Sequence, residues 1–182
     1  MKYLVRAASI LLCILLIALC PNVQAAETST AGPPAAVLGP HDGVLSKTKQ
    51  HAFETVFLPT GVCVYLFDAQ LAPMMMQRVK AVATVTAKGT PPQEIPLKLD
   101  SPKAGEKTLF FCPMHPSVAQ AKPGTCEACG GMELIPQDCI RGAVDLSKAA
   151  PGGVTAAVTV KGMKGAEPEA TFTVVWPAPP KK

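Results

Sequence analysis

The sequence lacks the residue sets on which most enzymes depend. Its 182 residues include three histidines, and they contain no Ser/His/Asp set, glycine-rich nucleotide loop or carboxylate pair at helical spacing. No segment shows the 3.6-residue apolar period of an amphipathic helix. We therefore expect neither an enzyme nor a helical fold.

The sequence also lacks a large excess of positive or negative charge. Of the 17 lysines and arginines, Lys2 and Arg6 lie in an N-terminal segment interpreted below as an export signal, which leaves 15 basic against 13 acidic side chains. A protein that binds nucleic acid needs a basic surface to neutralise the phosphates. Nucleic acid is therefore not an expected partner.

The longest apolar run lies at the N-terminus. It covers residues 7–19, is polar only at Ser9, and precedes Ala25-Ala26, which suit cleavage by a signal peptidase. The run is shorter than the roughly 20 residues of a typical membrane span, so residues 1–25 are interpreted as a signal peptide. We expect a periplasmic or secreted mature chain without a stable membrane span.

The seven cysteines divide between two parts of the chain. Two lie in the predicted signal, where Cys20 could carry a lipid anchor, although the bulky Leu19 before it disfavours lipidation. Five remain, and an odd number in an oxidising compartment argues against a framework of disulfides alone. Three thiolates on a metal plus a bridge between Cys63 and Cys139 would account for all of them, but this pairing rests on counting alone.

Short alternating apolar runs, separated by Gly and Pro clusters, dominate the rest of the chain and predict β-strands. The runs lie at 53–57, 62–67, 79–85, 95–99, 154–160 and 170–176. They favour a mainly β fold with an immunoglobulin-like β-sandwich body. The predicted divisions are a signal peptide (1–25), a flexible linker (26–40), the body (41–108 plus 138–176), an inserted Cys-rich module (109–137) and a disordered tail (177–182).

Two Cys/His pairs mark the inserted module. Two residues separate Cys112 from His115, and two separate Cys126 from Cys129. This spacing lets a tight turn direct both side chains at one ion, and three sulfurs with an imidazole suit Zn(II) or Cu(I). We predict one such transition-metal ion. Four protein ligands would close its coordination shell, which favours structural over catalytic zinc. The alternative is a disulfide from Cys126 to Cys129 or to Cys112, with a solvated His115.

Three short motifs of the module follow one another in a characteristic order. They are Cys-Pro-Met-His-Pro at 112–116, Pro-Gly-x-Cys-x-x-Cys-Gly at 123–130 and Met-x-Leu-x-Pro at 132–136. The segment resembles the heavy-metal-binding domain family, whose modules occur near the N-termini of copper-transporting P-type ATPases and of periplasmic adaptor subunits of metal-efflux pumps. The resemblance implies heavy-metal binding by the two Cys/His pairs, and we expect a small zinc-ribbon-like module. Where that family usually has Cys-Gly-Met, Gly131 adds a residue before Met132.

Weaker metal candidates lie beside and outside these pairs. Met114 and Met132 flank the predicted ligands and carry thioethers suited to Cu(I). His41 and His51 could meet near the end of the first strand and bind Cu(II) or Zn(II), although two surface histidines are the favoured interpretation. The run 74–76 has three methionines, but consecutive strand residues point to opposite faces, so a loop covering the core is favoured over a site.

These features favour an exported protein that binds copper, zinc or a related soft ion. Its role would be metal buffering or delivery to a metal-efflux component. One alternative is a cell-envelope interaction module in which zinc is purely structural. A lower alternative is a thiol-disulfide protein that uses Cys126 and Cys129, which would require that pair at the N-terminus of a helix in a βαβ fold.

Overall fold

The alternating runs form antiparallel strands in the protein, as a computed structural model shows for residues 36–177. The predicted signal peptide with Cys20, the linker up to residue 35 and the tail from residue 178 lie outside the described residues. Within the described part, the helical element is one 3-10 turn, Glu127–Cys129. The predicted mainly β fold is confirmed, while the immunoglobulin-like connectivity stays a prediction.

Eight strands of the body form one antiparallel sheet. In chain order, the strands of residues 36–177 are β1 (Val44–Lys47), β2 (His51–Leu58), β3 (Gly61–Asp68), β4 (Lys80–Ala87), β5 (Gln93–Asp100), β6 (Phe110–Phe111), β7 (Ala119–Gln120), β8 (Thr125–Cys126), β9 (Met132–Glu133), β10 (Ile135–Pro136), β11 (Cys139–Ala143), β12 (Val154–Lys161) and β13 (Glu169–Val175). The sheet has the order β1-β2-β3-β11-β5-β4-β12-β13. Because β5 pairs with β4 around Ile95 and with β11 around Leu99, it connects the two halves of the sheet.

The main apolar core lies where the two halves of this sheet face each other. Every second residue of β12 is fully buried: Val154, Ala156, Val158 and Val160. Phe53 in β2 stacks on Phe172 in β13 with ring centroids 4.6 Å apart, and Phe57 stacks on Trp176 at 5.7 Å. Full burial of a valine or phenylalanine side chain is worth about 1.5–3 kcal/mol. The apolar residues whose alternation predicts the strands therefore also stabilise the packing of the two halves.

Strand β3 is buried on both faces, which explains the continuous apolar run at 62–67. Residues that point away from the main core form a second cluster on the outer face. This outer cluster consists of Ala52, Cys63, Tyr65, Phe67 and Cys139. His41 covers it, with its ring stacked on Tyr65 at a centroid distance of 3.6 Å.

The module (residues 109–137) is inserted between β5 and β11 and has short strands of its own. β10, β6 and β7 form a three-stranded sheet, and β8 pairs with β9. The buried residues of its separate core are Cys112, Cys126 and Leu134. At its base, the fully buried Gln137 donates a hydrogen bond from Nε2 to the carbonyl oxygen of Leu66 in β3, at 2.9 Å. The module is thus anchored to a central strand of the body.

Two body strands and one edge contact were not indicated by the sequence. The sequences of β1 (VLSK) and β11 (CIRGA) show no strict apolar/polar alternation, so the pattern did not predict them. The end of the predicted linker lies against β1, since Leu45 donates its amide hydrogen to the carbonyl of Val37. Over the part of the chain that the structure describes, no helix has the length and apolar character needed to cross a membrane.

Candidate metal centre

The first Cys/His pair lies in the loop between β6 and β7. The amide of Cys112 donates to the carbonyl of Val118 at 3.1 Å, and the amide of Val118 donates to the carbonyl of His115 at 2.8 Å. These bonds close the loop. As a result, the side chains of Cys112 and His115 lie on the same side, with Sγ and Nδ1 separated by 3.9 Å.

The second pair lies at the turn between β8 and β9. Cys126 ends β8, Cys129 ends the 3-10 turn, and the following Gly130 is left-handed with φ 71°. Gly131, the extra residue relative to the family pattern, has φ 102° and donates its amide hydrogen to the carbonyl of Cys126 at 3.0 Å. Both conformations favour glycine. The extra residue is therefore accommodated in the turn, and Cys126 pairs with Met132 across the hairpin.

The four predicted ligands converge on one point. One ligand atom from each of Cys112, His115, Cys126 and Cys129 lies within 4.8 Å of every other. The Cys112 and Cys129 sulfurs are 3.4 Å apart, and His115 Nδ1 lies 3.0 Å from Cys129 Sγ and 3.7 Å from Cys126 Sγ. With Zn–S bonds of about 2.3 Å, two sulfurs of a tetrahedral shell are about 3.8 Å apart. The cluster therefore fits a four-coordinate soft ion with small adjustments.

Two thiols of this cluster, those of Cys112 and Cys129, differ in their pKa. Burial alone would raise the pKa of Cys112, but the amide of His115 and the side chains of Cys129 and His115 lower it to about 6. Burial and the neighbouring sulfurs of Cys112 and Cys126 raise the pKa of Cys129 to about 12. Packing thiolates together is unfavourable without a cation, and metal binding displaces the remaining protons. The arrangement is chemically suited to an ion that supplies this positive charge.

The four ligands are not equally accessible. Cys112 and Cys126 are fully buried, whereas Cys129 and His115 are only partly covered. The buried pair forms most of the module's core together with Leu134, which motif spacing alone did not reveal. An ion would therefore enter from the side of Cys129 and His115.

The two methionines beside the ligands point outward. Met114 is 71% exposed and Met132 is 41% exposed.

A groove of about 560 Å³ lies next to the Cys112–His115 loop. Its lining includes Pro113 and Pro116 of the module and Met74, Met75 and Met163 of the body. In the methionine run 74–76, Met76 lies in the main core at 2% exposure. The run was expected to cover the core as a loop, but Met76 is instead one of the core residues.

The structure does not bring His41 and His51 together. His41 Nδ1 lies 2.8 Å from Glu54, whereas His51 Nδ1 lies 2.9 Å from Glu167. His51 and Glu54 are an odd number of residues apart on β2, so their side chains point to opposite faces of the strand. Each histidine therefore contacts its own carboxylate. Both are buried, so the interpretation as two surface histidines is wrong.

No sequence motif predicted a role for Glu167, but its side chain joins two parts of the body. Its carboxylate accepts hydrogen bonds from the Thr48 hydroxyl at 2.7 Å and from the amides of Lys49 and Gln50. Partial burial would raise the pKa of Glu167, but these bonds and the one to His51 lower it to about 2. The carboxylate is thus a fixed acceptor that ties the β1–β2 turn to the β12–β13 loop.

The setting of Cys126 and Cys129 differs from that of a redox-active pair. Cys126 precedes a three-residue 3-10 turn and Cys129 ends it, and α-helices are absent from residues 36–177. Thioredoxin-type chemistry depends on a helix N-terminus to stabilise the attacking thiolate. The two sulfurs here approach His115 and Cys112 instead.

Comparison with known proteins identifies the module. Residues 109–137 match the family model described as a heavy metal binding domain, so the resemblance inferred from the sequence is confirmed for this segment. The match covers the module and does not extend into the body. Searches of curated proteins and of solved structures found no match to the chain.

Proposed function

We propose that this chain is an exported protein that holds one soft metal ion in its module and acts in metal buffering or in delivery to a metal-efflux component. The observation that carries the proposal is the convergence of three cysteines and one histidine within 4.8 Å. The match to a heavy metal binding domain over residues 109–137 supports it. The protein would bind its ion and would not turn over a substrate.

Zn(II) and Cu(I) are the proposed ions. Both accept thiolate and imidazole ligands, and the closed set of four fits tetrahedral zinc. The partial exposure of Cys129 and His115 gives a partner a route to the ion. That asymmetry favours an exchangeable ion, as buffering or delivery would require.

The experiment is a metal analysis of the chain purified without chelator, with a free-thiol count. We expect one tightly held ion per chain and protection of Cys112, Cys126 and Cys129 from alkylation. Competition with chromophoric chelators for Zn(II) and for Cu(I) then identifies the favoured ion. A protein that binds neither ion stoichiometrically after full reduction would exclude metal handling.

Export and physiological role need tests in cells. The proposal expects a processed N-terminus near residue 26 in the periplasmic fraction. It also expects that a host without the gene tolerates less copper or zinc. Complementation should depend on Cys112 and Cys126 and should be indifferent to Met114→Leu, which changes an exposed neighbour of the ligands. Equal tolerance with and without the ligands would remove the role in metal homeostasis.

A structural zinc is the second candidate function, because two ligands are also core residues of the module. In that case the ion would exchange slowly, over hours, and its removal would unfold the module without changing the metal tolerance of the host. Fast exchange with a chelator, together with a tolerance phenotype, would instead favour the carrier.

A further inference from the structure

The outer cluster on β3 contains two cysteines that the metal centre does not use. Cys63 lies within β3, and Cys139 is the first residue of β11, the strand paired with it. Their Sγ atoms are 3.4 Å apart, and both thiols are free and fully buried. A disulfide bond is about 2.05 Å long, so a small shift of the chain at the start of β11, together with movement of the two side chains, would allow the sulfurs to bond.

We propose that Cys63 and Cys139 form a disulfide, and that this thiol pair is an oxidisable site separate from the metal centre. The strand register supports the pairing. Cys63 lies directly opposite Arg141, two residues after Cys139, so the cysteines are diagonal neighbours on one face of the sheet. Diagonal neighbours are within side-chain reach of each other.

Arg141 gives the two thiols different roles. Its guanidinium is held by Asp100 at 2.7 Å and by Glu106 at 2.8 Å, and Nη2 lies 3.8 Å from Cys139 Sγ. The hydrogen bond with Cys63 and the charge of Arg141 lower the pKa of Cys139 despite its burial. The hydrogen bond with Cys139 and burial raise the pKa of Cys63. Cys139 is therefore the attacking thiolate, and Cys63 is the resolving thiol.

The oxidant is an incoming disulfide, such as that of glutathione or of a thiol oxidase. The Cys139 thiolate attacks one of its sulfurs, forms a mixed disulfide and releases the other sulfur as a thiol. Cys63 then loses its proton and attacks Cys139 Sγ, which forms the bridge and releases the second thiol. The pair loses two electrons and two protons, and the oxidant leaves as two thiols.

The pair is covered in the folded protein. The side chains of Arg141 and Glu106 above it are 13% and 22% exposed. The attack on the oxidant therefore takes place while the chain folds, or when the segment 101–108 moves away from the outer cluster. Once formed, the bridge is protected from reduction by the same cover.

The bridge would brace the base of the module. Cys63 and Cys139 are 76 residues apart in sequence, and the loop that they would close contains the whole module. β3 also carries the Leu66 carbonyl that binds Gln137. Closure of so long a loop should raise the melting temperature by about 5–15 °C.

The test is to refold the reduced chain with Zn(II) in a mixture of reduced and oxidised glutathione, alkylate the free thiols and map the peptides by mass spectrometry. We expect a Cys63–Cys139 disulfide, free thiols at Cys112, Cys126 and Cys129 after acid release of zinc, and a melting temperature that falls on reduction. If Cys63 and Cys139 are both alkylated, or are bonded to other cysteines, the proposal is wrong.

Two variants separate this site from the metal centre. The triple variant Cys112→Ser/Cys126→Ser/Cys129→Ser should lose the ion and still form the bridge. The double variant Cys63→Ala/Cys139→Ala should keep one ion per chain, and reductant should not change its melting temperature. A triple variant without the bridge would overturn the independence of the two sites. If the double variant fails to fold, peptide mapping of the unaltered chain still decides the matter.

Discussion

His115 Nδ1 lies 3.0 Å from Cys129 Sγ, although the two residues come from different turns, 14 positions apart. This contact joins the β6–β7 loop to the β8–β9 hairpin at the accessible side of the cluster. The fully buried Cys112 and Cys126 complete the set on the inner side. The module thus has a candidate site for a soft metal ion that is buried on the side of Cys112 and Cys126 and accessible on the side of His115 and Cys129.

Substitution of one accessible ligand should abolish tight binding. In Cys129→Ser, the site loses a thiolate, and the ion is left with two sulfurs and an imidazole. We expect the affinity for Zn(II) to fall by more than the roughly 10–100-fold that loss of an outer-shell partner costs. Chelator competition measures the change. Met132→Leu, which alters a 41% exposed neighbour, should retain the affinity, and an equal loss there would make the methionine a ligand.

Removal of the ion should affect the module and spare the body. The module's core is small and consists largely of the predicted metal ligands, so we expect it to depend on the ion for stability. The chain's single tryptophan, Trp176, lies in the body and stacks on Phe57. We expect amide hydrogens around Leu134 to exchange faster after chelation, while the tryptophan fluorescence stays unchanged. A shift in that fluorescence would mean that the module and the body are coupled more strongly than their separate cores indicate.

The sequence was sufficient where the physical signal is local. Alternation from Val154 to Val160 predicts the face of β12 that is buried, and the two-residue spacings predict two turns that can share one ion. Both signals depend on residues within a few positions of each other. The mainly β class and the metal module could therefore be predicted without a structure.

The remaining features depend on distant pairings that a single sequence does not encode in a readable way. Glu167 could not be connected to Thr48, which lies 119 positions away, and the sequence of β11, CIRGA, does not alternate. Counting cysteines suggested that Cys63 and Cys139 pair, but only the β3–β11 register puts them on the same face. Sheet order decides such contacts, and it is set by the whole body.

The buried Glu54 should be essential for stability. Its carboxylate accepts hydrogen bonds from the amides of His41 at 2.6 Å and Gly43 at 2.8 Å, besides its contact with the His41 ring. Glu54→Ala leaves these donors buried without a partner, so we expect the free energy of unfolding to fall by about 2–5 kcal/mol. Urea denaturation measures it, and a loss below about 1 kcal/mol would mean that water replaces the carboxylate.

Gly39 gives an independent test of the same pocket. A Cβ atom built there would lie 2.4 Å from the Glu54 carboxyl carbon, which is too close for atoms that do not bond. We expect Gly39→Ala to destabilise the protein by about 1–3 kcal/mol through this overlap. The matched control is Gly89→Ala, because its Cβ would meet no atom within 4 Å, although its φ of 83° adds strain. The denaturation midpoint of Gly39→Ala should lie below those of Gly89→Ala and of the original chain. A Gly39→Ala midpoint equal to that of the original chain would show that the Glu54 pocket has room.

Glu167 should make the stability depend on acid pH. Its pKa is lowered to about 2 in the folded protein, whereas an unfolded glutamate has a pKa of about 4.3. The folded state therefore binds this proton less readily. The contribution of Glu167 is fully present above the unfolded pKa and is lost as the pH falls through the folded one. Between about pH 5 and pH 2, unfolding should become easier in the original chain.

Glu167→Gln isolates this contribution from that of the other carboxylates. The variant should be less stable by about 1–3 kcal/mol at pH 7, and the difference from the original chain should shrink as the pH falls towards 2. Glu169→Gln is the matched control, because Glu169 pairs with Lys161 at the surface, with both side chains more than half exposed. Such a pair is worth about 0–1 kcal/mol. A Glu167→Gln difference that stays constant from pH 7 to pH 2 would mean that shape, and not charge, makes this residue the link between the β1–β2 turn and the β12–β13 loop.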